Sequence, residues 1–307
     1  MTVSTTSSAT VPPGLAIAQA LPDLLAPVKV RRGAVGFLRN NLTVTIGGAL
    51  LLVLVLIGIF APYLGTADPT ALAPAKRLRA PSELYWFGTD ALGRDVYSRV
   101  IFGTRVSLTV GLSVAALATL AGLAIGLISG FSRWADGIIM RIMDGLMSIP
   151  PILLAIALMA LTRGSVGNVI MAITVAEIPR VSRLVRGVVL SLREQPYVDA
   201  AIASGTRTPM IILRHILPNT LAPLLVQATY VCASAMIVEA ILSFIGAGTP
   251  PTIPSWGNIM AEGRALWQVK PFIVFFPAAF LSVTVLAVNL LGDGLRDALD
   301  PRMAKGL

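Results

Sequence analysis

The chain has 307 residues, 55% of them hydrophobic and only 13% charged, with a net charge of +9; soluble domains carry about 25% charge, so the composition is that of a membrane protein. One histidine (His215) and one cysteine (Cys232) exclude a multi-histidine metal site and an intrachain disulfide. Neither HExxH nor GxxxxGK[ST] occurs, which removes metalloprotease and self-contained P-loop ATPase, and in such a chain basic residues report loop orientation before they report nucleic acid.

Residues 1–36 are rich in Ser, Thr, Ala and Pro and read as a flexible cytoplasmic tail. No basic stretch precedes the mild apolar patch Leu15 to Ala18, which argues against a cleaved signal peptide; a short membrane-surface helix over residues 15–25 is the alternative. Residues 37–307 read as one polytopic transmembrane domain. A bilayer-spanning helix needs about 20 apolar residues. Such runs fall at Leu42–Phe60, Leu108–Phe131, Gly145–Thr162, Thr220–Phe244 and Phe272–Leu291, with one more starting near Val166 and interrupted by Glu177, Pro179 and Arg180. The expected fold class is therefore an all-α membrane protein with about six transmembrane helices.

Between the first two runs, WFGTDALGRDVYSRVIFGTR (Trp86 to Arg105) places Val96, Tyr97, Val100 and Ile101 on one helical face and Arg94, Asp95 and Arg99 on a polar one, as in a short interfacial helix. In the loop GAGTPPTIPSWGNIMAEGRALWQVKP, Trp256 and Trp267 suit a membrane interface. Lys29, Arg31, Arg32 and Arg39 precede the first run and place the N-terminus inside. Six crossings then put residues 132–144, residues 180–219 and the C-terminus in the cytoplasm as well.

The cytoplasmic stretch YVDAAIASGTRTPMIILRHILPN has the punctuation of two short helices. Pro196 suits a first helical position, Gly205 suits a left-handed stop, and Thr208-Pro209 reads as an N-cap followed by Pro. Pro218 should close the second helix, leaving Asn219 to cap the next span. At about 100° per residue, Tyr197, Ala201, Ser204 and Gly205 share an arc with Ala200 at its edge, a small-residue face that another protein's backbone can approach. Asp199 lies in the first turn, where the helix dipole favours it. Packing of this small face back onto the spans is the competing account, whereas a DNA-binding helix–turn–helix lacks base-reading side chains.

The pattern Asp199-Ala200-Ala201, then Gly205, then Ile216-Leu217-Pro218 resembles the EAA loop of permease subunits in ABC importers, with Asp in place of the first Glu. WFGTDALGRDVYSRVIFGTR, SIPPILLAIAL, LVRGVVLSLRE, LRHILPN, PSWGNIMAEGR and NLLGDGLRDALDPR extend the resemblance over roughly residues 37 to 302, and together look like the C-type permease of dipeptide/oligopeptide importers. Nickel importers share much of this pattern; Glu177 departs from it.

That resemblance implies a type I importer permease fold in the bacterial cell membrane. It also implies an EAA-type coupling segment at 194–219 in which Tyr197, Asp199, Ala200, Ala201, Gly205, Thr208, Pro209, Leu217 and Pro218 meet the ATPase. The implied partners are a B-type permease, two cytoplasmic ATPases that hold ATP and Mg, an extracytoplasmic solute-binding protein and membrane lipids. This chain itself needs no cofactor.

Two carboxylates fall within apolar runs and are candidate pathway or gate residues. Glu177 has Arg180 three residues on as a local partner; Glu239 sits near the outer end of its run, where contact with a binding protein competes with a merely interfacial place. Arg180, Arg183 and Arg186 recur every three residues and suit anionic headgroups. A stand-alone secondary transporter is disfavoured because no inverted repeat with broken helices is visible, and an intramembrane hydrolase because no nucleophile motif is.

Overall fold

The computed structural model describes residues 41–299, so the expected tail and the alternative surface helix over residues 15–25 lie outside the described residues. Among the described residues there are helices, short turns of helix and no strand. The α-helices are α1 (Leu42–Phe60), α2 (Val96–Phe131), α3 (Arg133–Met147), α4 (Pro151–Ala160), α5 (Val166–Arg193), α6 (Pro196–Ala203), α7 (Thr208–Ile211), α8 (Leu217–Phe244), α9 (Trp256–Gly263) and α10 (Phe272–Leu299). Four of them start on a side chain that the sequence supplies for the purpose. Asp95, Ser132, Ser165 and Ser255 accept from the backbone N–H three residues on, at 2.9, 3.3, 3.1 and 3.2 Å.

Three expectations about the spans are corrected. The short interfacial helix and the second span are one helix, α2, of 36 residues, about 54 Å at 1.5 Å per residue and longer than a bilayer core. No Gly–Pro break separates the two, so the helix propagates through both. The third span is not a single helix: Pro150 cannot continue α3, and α3 and α4 meet at 88°. Pro218 does not end a helix either. It stands in the first turn of α8, and a π-type turn over Ile212–Ile216 joins α7 to α8, so the helix from Thr208 runs into the fifth span. By length and composition four helical stretches can cross a membrane, or five if the bent pair counts as one span. α5 falls short on composition, not on length.

α2 is the central helix, packed against α1, α3, α5, α8, α9 and α10. Its contact with α5 is a ladder. Gly122, Gly126 and Gly130, four residues apart on α2, face Val181, Val185 and Val189 on α5; a Cβ added at the three glycines would meet valine carbons at 2.6, 2.6 and 2.5 Å. Small residues at this spacing let two backbones approach where lipid offers no hydrophobic drive for association. Gly47 plays the same part between α1 and α10, where an added Cβ would lie 2.6 Å from the Leu291 nitrogen.

Where α2, α9 and α10 begin, a second apolar cluster joins Val96 and Val100 of α2 to Trp256 and Ile259 of α9 and Ile273 of α10. Trp256 is fully buried there and its Nε1 donates to the Val100 carbonyl at 3.1 Å, so it is a core residue and not an interfacial anchor. Trp267, 56% exposed, remains suited to the interface.

Candidate functional site

The segment between α5 and α8 is pinned at a few points and otherwise bare. Val198, Ile211 and Ile216 are buried and join the main apolar core. Around them Tyr197, Asp199, Ala200, Ser204, Gly205, Thr208, Pro209 and Pro218 are exposed, while Ala201 and Leu217 are half-buried and Ala201 leans on the core. The small-residue arc is thus divided: Ala201 serves internal packing and the rest faces outwards. Tyr197 and His215 bring their rings to 6.2 Å across the turn, linking α6 to the π-type turn before α8.

Local chemistry explains the shape. Pro196 occupies the first position of α6, where its missing N–H costs no hydrogen bond. Gly205 adopts φ +76°, and the N–H groups of Gly205 and Thr206 return to the carbonyls of Ile202 and Ala201 at 2.9 and 3.1 Å. That is the paired closure of a helix ending in a left-handed residue. Thr208 is not the N-cap: Arg207 holds that place, and Thr208 opens α7 with no capping bond from its hydroxyl.

Three exposed apolar side chains escaped the sequence reading. Ile202, Met210 and Leu213 are 58%, 52% and 61% exposed on this same segment. Their signal was available as large apolar residues inside a short extramembrane turn, but a search for small residues passes over them.

Glu177 lies in α5, buried in its contact with α8. Its Oε1 accepts from the Ser234 hydroxyl at 3.1 Å, and Oε2 lies 3.4 Å from Arg180 Nη1. The Arg180 guanidinium in turn stands 5.4 Å from the ring centre of Tyr230. Arg183 pairs with Asp144 and Arg186 with Asp136, the latter at 2.7 Å between Nη2 and Oδ2. These three arginines therefore hold carboxylates of α5 itself and of α3, and do not stand free for lipid headgroups, because the bend after α3 lays that helix alongside them.

Glu239 is fully buried near the C-terminal end of α8, so its carboxylate is not exposed for direct contact with a binding protein. Its Oε1 accepts from Ser243 at 2.8 Å; the Ser243 hydroxyl meets Thr249 at 3.1 Å, and Thr249 meets Ser255 at 3.3 Å. The chain of hydroxyls ties the loop before α9 to α8.

A further buried charge cluster lies beside that loop. Arg99 (1% exposed) binds Asp90 Oδ2 through Nη1 at 2.7 Å and Glu262 Oε1 through Nη2 at 3.1 Å. Arg94 reaches the same two carboxylates, with Nε 2.7 Å from Asp90 Oδ2. The arginines read as the polar face of an interfacial helix are thus among the most buried charges of the described residues. They join the segment before α2 to α9, far away in the sequence.

Residues 122–305 match the family model described as binding-protein-dependent transport system inner membrane component. The chain belongs to that family. Within it, the chain is 56% identical over 259 residues to a probable peptide ABC transporter permease of Sinorhizobium fredii, covering 84% of this chain and 89% of the relative. It is 41% identical over 282 residues to a dipeptide transport system permease of Alkalihalophilus pseudofirmus, covering 92% and 93%. A chain of the MetNI methionine ABC transporter, solved in an inward-facing conformation, shares the fold of this family member with a TM-score of 0.56 at 20% identity, over 66% of this chain and 97% of that one. The resemblance to peptide-importer permeases read from the motifs is borne out by these relatives.

Proposed function

We propose that the chain is one of two permeases of an ATP-driven importer of dipeptides and oligopeptides in the bacterial cell membrane, driven through residues 194–219 by cytoplasmic ATPases. The observation that carries this is the α6–α7 turn: pinned from within by Val198, Ile211 and Ile216, it leaves Tyr197, Ile202, Met210 and Leu213 bare. Bare apolar side chains on a rigid, core-anchored turn suit docking to another protein. Relatives named for peptide transport supply the cargo class.

The partners in this reading are a B-type permease, two ATPases and an extracytoplasmic binding protein, with both termini cytoplasmic. Six crossings follow if α5 spans and the α3–α4 pair counts as one. Support comes from the length of α5, 28 residues or about 42 Å, and from the pairing of Glu177, Arg180, Arg183 and Arg186, which spares the bilayer bare charge. Glu177 is the gate candidate, uncovered only when α5 and α8 separate; Glu239 holds the outer loop to α8.

Uptake of a labelled dipeptide into vesicles carrying the assembled transporter tests the reading. Uptake should require ATP and functional ATPase subunits, and uptake that persists with catalytically dead ATPases would replace it with a stand-alone transporter.

A further inference from the structure

Where α2 ends, α3 begins and α5 finishes, a cavity of about 340 Å³ is lined by Ser129, Gly130, Arg133, Asp136, Arg193 and Glu194 among others. Ser129 is 2% exposed, and its hydroxyl has no hydrogen-bond partner among the described residues. The cavity also borders the N-terminus of α3, a helix of 15 residues whose Ser132 hydroxyl takes the Ala135 N–H and whose Ser132 carbonyl takes the Asp136 N–H. Helix N-termini attract anions through unpaired N–H groups and the helix dipole.

Two guanidinium groups flank these donors. Arg193 is fixed by its Nη1 bond to the Gly130 carbonyl at 2.6 Å and lies 5.1 Å from the ring centre of Phe131. Arg133 is exposed and pairs with no carboxylate among the described residues. Of the two carboxylates at the rim, Asp136 is already held by both nitrogens of the Arg186 fork and Glu194 is exposed. With Arg133, Arg186 and Arg193 against Asp136 and Glu194, the local charge is three minus two, or +1.

Beyond the cavity, α3 carries an exposed apolar stripe. Trp134, Ile138 and Ile142 recur every four residues along α3 and are 80%, 48% and 55% exposed. A helix with such a stripe on one side and paired charges on the other can face acyl chains along the stripe, with Trp134 in its first turn at headgroup level.

We propose that this cavity binds the phosphodiester headgroup of an anionic phospholipid, whose acyl chains cover the Trp134–Ile138–Ile142 stripe. Ser129, the start of α3 and Arg133 donate to the phosphate oxygens, and Arg193 supplies fixed positive charge. The site rests on the reading of the chain as a membrane permease; only the leaflet depends on the orientation. Since Glu194 is two residues from the start of α6, a lipid held here also steadies the helix end from which the coupling segment hangs.

The test uses the full chain purified in nonionic detergent with equal amounts of phosphatidylglycerol and phosphatidylcholine, and native mass spectrometry to count retained lipids. Phosphatidylglycerol should be retained over phosphatidylcholine, and Arg133→Gln should lower that preference by about tenfold, the scale of one lost hydrogen bond to a charged group. Ser129→Ala, which removes a hydroxyl with little change in packing, should lower it by a smaller factor and stands in should Arg133→Gln fold poorly. Inorganic phosphate should not displace the lipid. Equal retention of the two lipids, undiminished preference in both variants, or displacement by inorganic phosphate would overturn the proposal, the last by making the site one for free phosphate. Because the readout is retained lipid and not uptake, loss of the transport reading would leave the result legible.

Discussion

Alanine at Gly126 tests the α2–α5 ladder. The added Cβ would lie 2.6 Å from Val185 Cβ and 2.8 Å from the Ser182 carbonyl oxygen, whereas carbon pairs are comfortable at about 3.5–4.0 Å. The helices must therefore part by roughly 1 Å along a contact that depends on close approach. Overpacking of this kind costs about 1–3 kcal/mol. At about 2–4 °C of melting temperature per kcal/mol for a domain of this size, Gly126→Ala should melt roughly 2–12 °C lower. Thermal unfolding of the purified chain, followed by tryptophan fluorescence, reads this directly. Gly137→Ala is the control: on α3 an added Cβ meets nothing within 4 Å, and alanine in a helix interior gains up to about 1 kcal/mol over glycine. In the double variant Gly126→Ala/Val185→Ala the cost should fall below the sum of the single costs by about 0.5–3 kcal/mol. An unchanged melting temperature in Gly126→Ala, or strictly additive costs in the double variant, would refute the ladder.

Other expectations concern the charges. Arg99→Met strands Asp90 and Glu262 with only Arg94 between them, and breaking a buried pair costs about 3–5 kcal/mol; the same melting assay checks it, and a loss under about 1 kcal/mol would show the cluster to be solvated. Glu177→Gln keeps an acceptor for Ser234 but removes the charge 3.4 Å from Arg180, so uptake by the assembled transporter should fall about tenfold or more, a loss of about 1.4 kcal/mol that charge–charge attraction at this distance can supply. Wild-type uptake in that variant would strip Glu177 of its gate role.

How much of this was legible in the sequence depended on the distance over which each feature is decided. Pro196 and Gly205 act within one helical turn, so the α6 stop could be read from the residues themselves. The class of the protein follows from runs of apolar residues and is equally local. Arg94 and Arg99 misled because helical periodicity sorts residues into polar and apolar faces, and a charged face defaults to water. What buries them is Glu262, more than 160 residues on. The Gly122–Gly126–Gly130 stripe is visible as a spacing, but its partner valines are set by how α5 returns against α2. Pro218 has the sequence look of a terminator, yet proline in a first turn removes no hydrogen bond the helix needs. Burial of the loop before α9 around Glu239 likewise rests on hydroxyls that only the fold brings together.

The central claim, that residues 194–219 transmit ATP hydrolysis to the membrane helices, is tested most directly at Ala200. Its side chain is exposed, so Ala200→Trp adds bulk to the docking face while leaving the chain's own core untouched. In vesicles carrying the assembled transporter, dipeptide uptake per ATP hydrolysed should collapse by at least about tenfold, as loss of roughly 1.4 kcal/mol of coupling implies, while the melting temperature of the isolated chain stays at the wild-type value. Unchanged uptake per ATP in Ala200→Trp would contradict the account.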